Sequence, residues 1–282
     1  MQIVLIGAGG QLGTALTARL GGKVIPLGSS AIDIADAEQV RRVLPELCPD
    51  LVINAAAYNF VDRAEDEFER AYAVNATGPQ AVAQVCAALD IPFVHVSTDY
   101  VYGGVRDRNV PYVETDPPCP TSQYARSKLA GEDLVQAACP KYFVVRTCGL
   151  YGRAVSPGKG NFVETMLRLG RERGAVSVVG DQCCTPTSAA DLAGAIAELI
   201  TTQSFGLYHA ANEGNTTWHG FASEIFRLAG LDVAVTPITT AQFNAKATRP
   251  SYSVLDCSKL GAAIGRPMRP WQEALAEYLI SR

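Results

Sequence analysis

The first thirteen residues restrict this chain more than any other stretch. Gln2 to Ile6 is a short apolar run that passes directly into Gly7-Ala8-Gly9-Gly10-Gln11-Leu12-Gly13, and Thr14 to Leu20 then has helical character. An apolar run without alternation reads as a parallel strand buried on both faces. Glycines at 7, 10 and 13 have the spacing G-x-x-G-x-x-G. Between a strand and a helix this spacing serves a tight turn, close approach of backbone to a pyrophosphate, and close packing of the helix on the strand. A chain that opens this way is expected to be α/β, a doubly wound parallel sheet of the Rossmann kind with a dinucleotide at its carboxyl edge. Gly7, Gly10 and Gly13 are its first candidate contacts.

The next crossover bears on the cofactor. Lys23 to Leu27 reads as the second strand, whose end normally carries the acid that binds a ribose 2′-hydroxyl. Here Gly28-Ser29-Ser30 stands instead, with neither an acid nor an arginine. Hydroxyls and backbone N–H groups tolerate a 2′-phosphate, so NADPH is favoured over NADH without excluding it. Ser29, Asp33 and Ile34 are the cofactor contacts expected at this end. Asp33 fits either a cap on the approach to a helix over 37–47 or a position against the adenine. A strand over 50–57 turns small at Ala55-Ala56-Ala57, leaving room for a ligand on the backbone. An acidic helix start follows at Asp62 and 64–69, which suits the positive end of a helix dipole. A long helix is expected over 71–89, with Asn75 bridging backbone groups inside it, and a further strand over 92–96.

Where that strand exits, Ser97-Thr98-Asp99-Tyr100 puts hydroxyls at the crevice. A proline-rich loop then leads into Tyr124-Ala125-Arg126-Ser127-Lys128. A tyrosine and a lysine four residues apart share a helix face. The spacing alone is common on helix surfaces; downstream of a dinucleotide turn it acquires a chemical reading. A cation beside a phenol lowers its pKa toward the working range. Tyr124 would then protonate a carbonyl oxygen as hydride arrives from a nicotinamide, with Thr98 donating a hydrogen bond to the same oxygen.

Beyond a strand over 142–146 the alternation loosens. A polar, glycine-rich mobile loop is expected over 153–160, helices over 161–173, 188–200, 216–229 and 271–280, and short strands over 176–179, 206–210 and 253–255. The expected division is a dinucleotide-binding domain over 1–149 and 186–206, and a smaller substrate-binding lobe over 150–185 and 207–282. The formal charge of −4, with no basic run, argues against nucleic acid. No apolar run is long enough to span a bilayer. Eight scattered cysteines without a secretory signal read as reduced thiols in a cytoplasmic protein. Three separated histidines lack metal-ligand spacing, so no metal site is expected.

The segments GAGGQLG (7–13), NAAAYNFVDRAE (54–65), VSTDYVYGG (96–104), YARSKLAGE (124–132), RTCGLYG (146–152), DQCCTPTSAADLA (181–193) and RPSYSVLDCSKL (249–260) resemble the extended short-chain dehydrogenase/reductases, and within them the dTDP-4-dehydrorhamnose reductase family. The likeness runs nearly end to end. It implies NADPH- or NADH-dependent reduction of the 4-keto group of a nucleotide-linked 6-deoxy sugar, most closely dTDP-4-dehydro-L-rhamnose. By motif it places Gly10, Gln11 and Leu12 on the pyrophosphate, Ala55, Ala56 and Ala57 beside the nicotinamide, and Thr98, Tyr124 and Lys128 as the catalytic triad. Thr98, Asp99, Tyr100 and Gly149 would face the sugar. Arg249 would meet the nucleotide diphosphate or, equally, form a surface salt bridge. Gly149 departs from the family, which often has an aromatic residue there, and its loss opens the pocket. The family leaves a homodimer, and a magnesium ion at its interface, open. Other readings are a nucleotide-sugar epimerase or dehydratase, and a non-catalytic regulatory subunit. The intact triad opposes the last, and Tyr100 after Asp99, where dehydratases carry glutamate, opposes the dehydratase.

Overall fold

The computed structural model describes residues 1–105, 107–154 and 160–281. The first half follows the expected alternation: β1 (Ile3–Ile6), α1 (Gln11–Leu20), β2 (Val24–Leu27), α2 (Ala37–Glu46), β3 (Leu51–Asn54), α3 (Phe68–Tyr72), α4 (Gly78–Ala88), β4 (Phe93–Thr98), α5 (Gln123–Ala138) and β5 (Tyr142–Thr147). The second half is β6 (Leu150–Tyr151), α6 (Phe162–Arg173), β7 (Ala175–Val179), β8 (Cys183–Cys184), β9 (Thr187–Ser188), α7 (Ala189–Leu199), β10 (Gly206–His209), β11 (Thr216–Thr217), α8 (Trp218–Leu228), β12 (Ala234–Ile238), α9 (Thr240–Phe243), α10 (Ser258–Ile264) and α11 (Trp271–Ser281).

Six parallel strands form the main sheet in the order β10-β5-β4-β3-β1-β2. Side chains alternate across a strand, so the unbroken apolar β1 feeds two cores at once. Ile3 and Leu5 pack with Leu16, Phe143, Leu192 and Ile196 on one face. Val4 and Ile6 pack with Val40, Leu44, Val82 and Val135 on the other. The strand order reverses at β1, between β2 and β3, and ligands of such sheets bind at the carboxyl ends beside that reversal. A separate core, in which Tyr151, Leu167, Phe221, Ile225, Trp271 and Leu275 meet, holds the second lobe together. Strand β10 pairs with β5, so the expected division at 206/207 falls inside a strand of the main sheet.

Three local expectations change. The helix expected over 71–89 is interrupted: α3 runs into a π turn, Ala73–Thr77, before α4. Asn75 is the reason. It is fully buried in that turn, accepts from Tyr58 N at 2.8 Å, and donates to Tyr58 O at 3.1 Å and Ser127 Oγ at 3.0 Å. It bridges backbone, as expected, and also ties the turn to α5. Helix α5 comes so close that a Cβ on Gly131 would lie 2.0 Å from Asn75 O. Second, Asp62 starts no helix. A 3₁₀ turn, Arg63–Glu65, follows it, and its carboxylate accepts from Ala247 N and Arg249 instead. Third, β12, α9 and α10 were not expected; β12 is largely exposed, contains Pro237 and carries no apolar signature. The loop expected over 153–160 falls mostly on residues 155–159, outside those described.

Candidate active site

The glycine turn is built as its spacing implies. Gly7 takes φ +83°, and a Cβ there would lie 2.5 Å from Ala56 N, so the turn rests against the exit of β3. A Cβ on Gly13 would lie 2.2 Å from Gly7 O, so α1 can meet the turn only at glycine. Gly10 caps α1 without any side-chain hydrogen bond, and no acidic residue occupies the first turn. The first N–H groups of α1 are therefore open to an anion. Gln11 Oε1 is buried without a partner beside them.

These groups line one cleft of about 700 Å³ at the carboxyl edge of the sheet. Of the predicted cofactor contacts, Gly7, Gly10, Gln11, Leu12, Ser29, Asp33, Ile34, Ala55, Ala56, Ala57, Tyr124 and Lys128 are in its wall. Gly13 is not; it is buried in the helix–turn contact. Asp33 bonds Ala35 N at 3.0 Å, while the cap of α2 is Asp36, which accepts from the N–H groups of Glu38 and Gln39. Thr98, Asp99, Tyr100 and Gly149 line the same cleft. Arg249 stands outside it, paired with Asp62 at 2.7 Å and lying against Tyr100.

Thr98 ends β4. Its hydroxyl donates to Asp99 Oδ1 at 3.2 Å and accepts from Tyr100 N at 3.2 Å. Ser122 caps α5 by accepting from Ala125 N, which sets Tyr124 and Lys128 on the first turns, facing β4. Burial pushes the Tyr124 phenol up to about 12, the Thr98 hydroxyl pulling the other way and Asp99 adding to the rise. The expected lowering by Lys128 does not occur in the free chain. Lys128 Nζ turns to the sheet instead, donating to Val96 O at 2.7 Å, with His95 Nε2 at 3.4 Å. Burial lowers its ammonium to about 8, against a smaller opposing pull from Glu132. Asp99 is buried, accepts from Cys148 Sγ at 3.0 Å, and is held above the ordinary carboxyl range by that burial.

Gly149 has φ +53°, and a Cβ would lie 3.0 Å from Thr185 O and 3.2 Å from Pro186 Cα. The glycine is thus required by the β5–β6 turn as built here. An aromatic side chain reaches the cleft from elsewhere: Trp218, the first residue of α8, lines it. Sequence reasoning missed Trp218, Arg70 of α3 and Thr147 of β5, all in the wall. Thr147 carried a signal, a hydroxyl at a strand's carboxyl end, and its Oγ1 is buried without a partner. Gln11 Oε1 and Thr147 Oγ1, with the open end of α1, fit a dinucleotide that brings both phosphate and amide groups. Among the described residues no group of three His, Cys, Asp or Glu could hold a metal ion. The eight cysteines are free thiols, four buried, two intermediate and two exposed. No helix among the described residues is long and apolar enough to cross a membrane.

The sequence model of the family described as RmlD substrate binding domain matches residues 1–281. This chain belongs to that family. It is 45% identical to the dTDP-4-dehydrorhamnose reductase of Mycobacterium tuberculosis (strain ATCC 25618 / H37Rv), over 99% of this chain and 92% of that protein. It is 39% identical to the spore coat polysaccharide biosynthesis protein SpsK of Bacillus subtilis (strain 168), over 100% of this chain and 98% of that protein. Among solved structures, it superposes on the dTDP-4-dehydrorhamnose reductase of Bacillus anthracis str. Ames in complex with NADP. The TM-score is 0.94, with 40% identity and 100% of each chain covered. The chain has the doubly wound parallel sheet read from its glycine turn, with helices on both faces.

Proposed function

We propose that this chain is a cytoplasmic enzyme that reduces the 4-keto group of dTDP-4-dehydro-L-rhamnose to dTDP-L-rhamnose, with NADPH as the preferred reductant. The observation that carries the reading is the meeting of Thr98, Tyr124 and Lys128 in the cleft that also holds the glycine turn. The family relatives named as reductases, and the relative solved with NADP, support it.

The open N–H groups of Gln11 and Leu12 hold the pyrophosphate, and Gly10 lets it approach. Ala55 to Ala57 lie along the nicotinamide half, and Ser29 admits a 2′-phosphate. Bound NADPH supplies the hydride. Tyr124 remains a protonated phenol at neutral pH, because burial holds it near 12, and so it can give a proton to the carbonyl oxygen as that oxygen gains charge. Thr98 turns its hydroxyl to the same oxygen. Lys128 holds the ribose hydroxyls. Asp99 and Tyr100 meet the sugar, and Trp218 offers the ring surface that Gly149 does not. Arg249 acts from behind Tyr100, where Asp62 fixes it. The smaller lobe, which contributes Trp218, is the substrate side.

The test is NADPH oxidation by purified protein against dTDP-, UDP- and GDP-linked 4-keto-6-deoxy sugars. Stoichiometric oxidation with the dTDP sugar, giving dTDP-L-rhamnose, is expected. Sugar conversion without net NADPH loss would replace the reading with an epimerase or dehydratase.

A further inference from the structure

Beneath the cleft, three buried polar side chains form a line whose polarity can be read from one end. That end is a backbone N–H, which can only donate. Ala56 N donates to Asn54 Oδ1 at 3.0 Å. With the amide turned over, its NH₂ would face that N–H, so the oxygen stays where it is. Asn54 Nδ2 then faces His95 Nδ1, 3.2 Å away. An amide NH₂ has no acceptor, so Nδ1 accepts, and in a neutral imidazole the proton sits on Nε2. His95 is neutral: it is fully buried, and that burial is the main cause holding it well below its ordinary pKa. Its Nε2–H therefore points at Lys128 Nζ, 3.4 Å away. An ammonium there would oppose N–H to N–H. An amine has a lone pair to accept that hydrogen bond and still donates to Val96 O at 2.7 Å.

We propose that the line Ala56 N–H, Asn54, His95 is a polarity relay that disfavours the ammonium of Lys128 in the free chain, with His95 its positioning residue. The other groups near Nζ do not reverse this. Tyr124 on the same helix is an uncharged phenol. Glu132, also on α5, favours the ammonium but is engaged by Arg146 of β5 and Ser97 of β4. Asp99 spends its carboxylate on Thr98 and Cys148. The π turn packed on α5 has no titratable side chain. That this lysine exchanges a proton at the catalytic site rests on the proposed function; the relay itself does not.

Two measurements on the full free chain test it, needing neither cofactor nor substrate, so they fail or succeed independently of the reductase assay. Long-range ¹⁵N–¹H NMR reads the tautomer of each of the three histidines. The Nε2–H form is expected for His95, and the Nδ1–H form overturns the relay. The second is a pH titration of [ε-¹³C]lysine signals, with Lys128 assigned by its loss in Lys128→Met. The midpoint is expected near 8. Asn54→Asp keeps the acceptor for Ala56 N but puts oxygen where the NH₂ was. The line then reverses, Nε2 accepts from an ammonium, and the midpoint rises by at least about one pH unit, a tenfold gain in proton affinity. Added charge alone also raises it, so the substitution is repeated with His95→Leu, where less than half the shift should remain. An unmoved midpoint, or an equal shift without His95, overturns the proposal.

Discussion

Glu132 lies one helical turn beyond Lys128 and forms an ion pair with Arg146 that excludes water. Arg146 Nη2 approaches its Oε2 at 2.5 Å, Arg146 Nε reaches both oxygens at 3.0 and 3.1 Å, and the two side chains are 0% and 3% exposed. Ser97 Oγ adds a further donor at 2.5 Å, from the residue before Thr98. The pair thus fixes α5 against β4 and β5 at the level of the catalytic face. Removing one charge leaves the other buried and alone, which costs about 3–5 kcal/mol. Glu132→Gln is expected to lower unfolding free energy by about that much in urea titrations. A loss under about 1 kcal/mol would show that Arg146 finds water on its own.

Tyr124→Phe removes only the phenolic oxygen. Loss of a positioned general acid lowers kcat by about 10²–10⁴. NADPH affinity, read by fluorescence quenching, should stay within about twofold, because the open end of α1 and the alanines of the β3 exit are untouched. Full turnover in the variant would sink the assignment of Tyr124 as proton donor.

Gly13→Ala tests the glycine turn without touching the catalytic face. The new Cβ would lie 2.2 Å from Gly7 O and 2.7 Å from Ala8 Cα, all backbone atoms that cannot swing aside. The turn must shift, taking the first N–H groups of α1 with it. NADPH dissociation constants should rise at least about tenfold, or about 1.4 kcal/mol, while Gly10→Ala, whose Cβ meets only Gly7 O at 3.4 Å, disturbs the turn less.

What the sequence made legible follows a physical line. A feature could be read where its chemistry is local in the chain. The glycine turn, the Tyr124–Lys128 spacing and the hydroxyl of Thr98 each declare themselves within seven residues, and the structure brings them to one cleft. Trp218 and Arg70 could not be read this way: each looks like an ordinary helix residue until the lobe and α3 are in place. His95, one of three separated histidines without metal-ligand spacing, carried no further signal; its meaning comes from Asn54 and Lys128, 41 and 33 residues away. The π turn at Asn75 was hidden for the same reason, since it depends on Ser127 in α5.

Gly149→Ala separates a backbone requirement from a pocket requirement. A residue held at φ +53° with its Cβ 3.0 Å from Thr185 O pays strain on both counts. A loss of about 1–2 kcal/mol in stability is expected. Trp218→Ala should do the converse, raising KM for the nucleotide sugar several-fold with kcat little changed, as loss of uniform binding does. Equal KM in wild type and Trp218→Ala would remove the indole from the substrate side.

His209 sets an acid limit on the fold. It is fully buried at the end of β10, its Nδ1 against Tyr112 O and its Nε2 against the Tyr102 hydroxyl, both at 3.0 Å. Burial, with Arg146 nearby, lowers its pKa to about 4, whereas an unfolded histidine titrates near ~6.5. Above that value it is neutral in both states and its contribution to stability is complete. Between about 6.5 and 4 the unfolded chain binds a proton that the folded chain refuses, so stability falls by about 1.4 kcal/mol per pH unit, about 3 kcal/mol in all. Asp99, held above its ordinary range, contributes the opposite sign, so the comparison must be made against a variant that keeps it. His209→Gln is expected to be less stable at pH 7 for want of its two hydrogen bonds, yet to lose less between pH 6.5 and 4.5. Urea unfolding of both chains across that interval should give converging curves; parallel curves would mean that His209 takes its proton inside the fold.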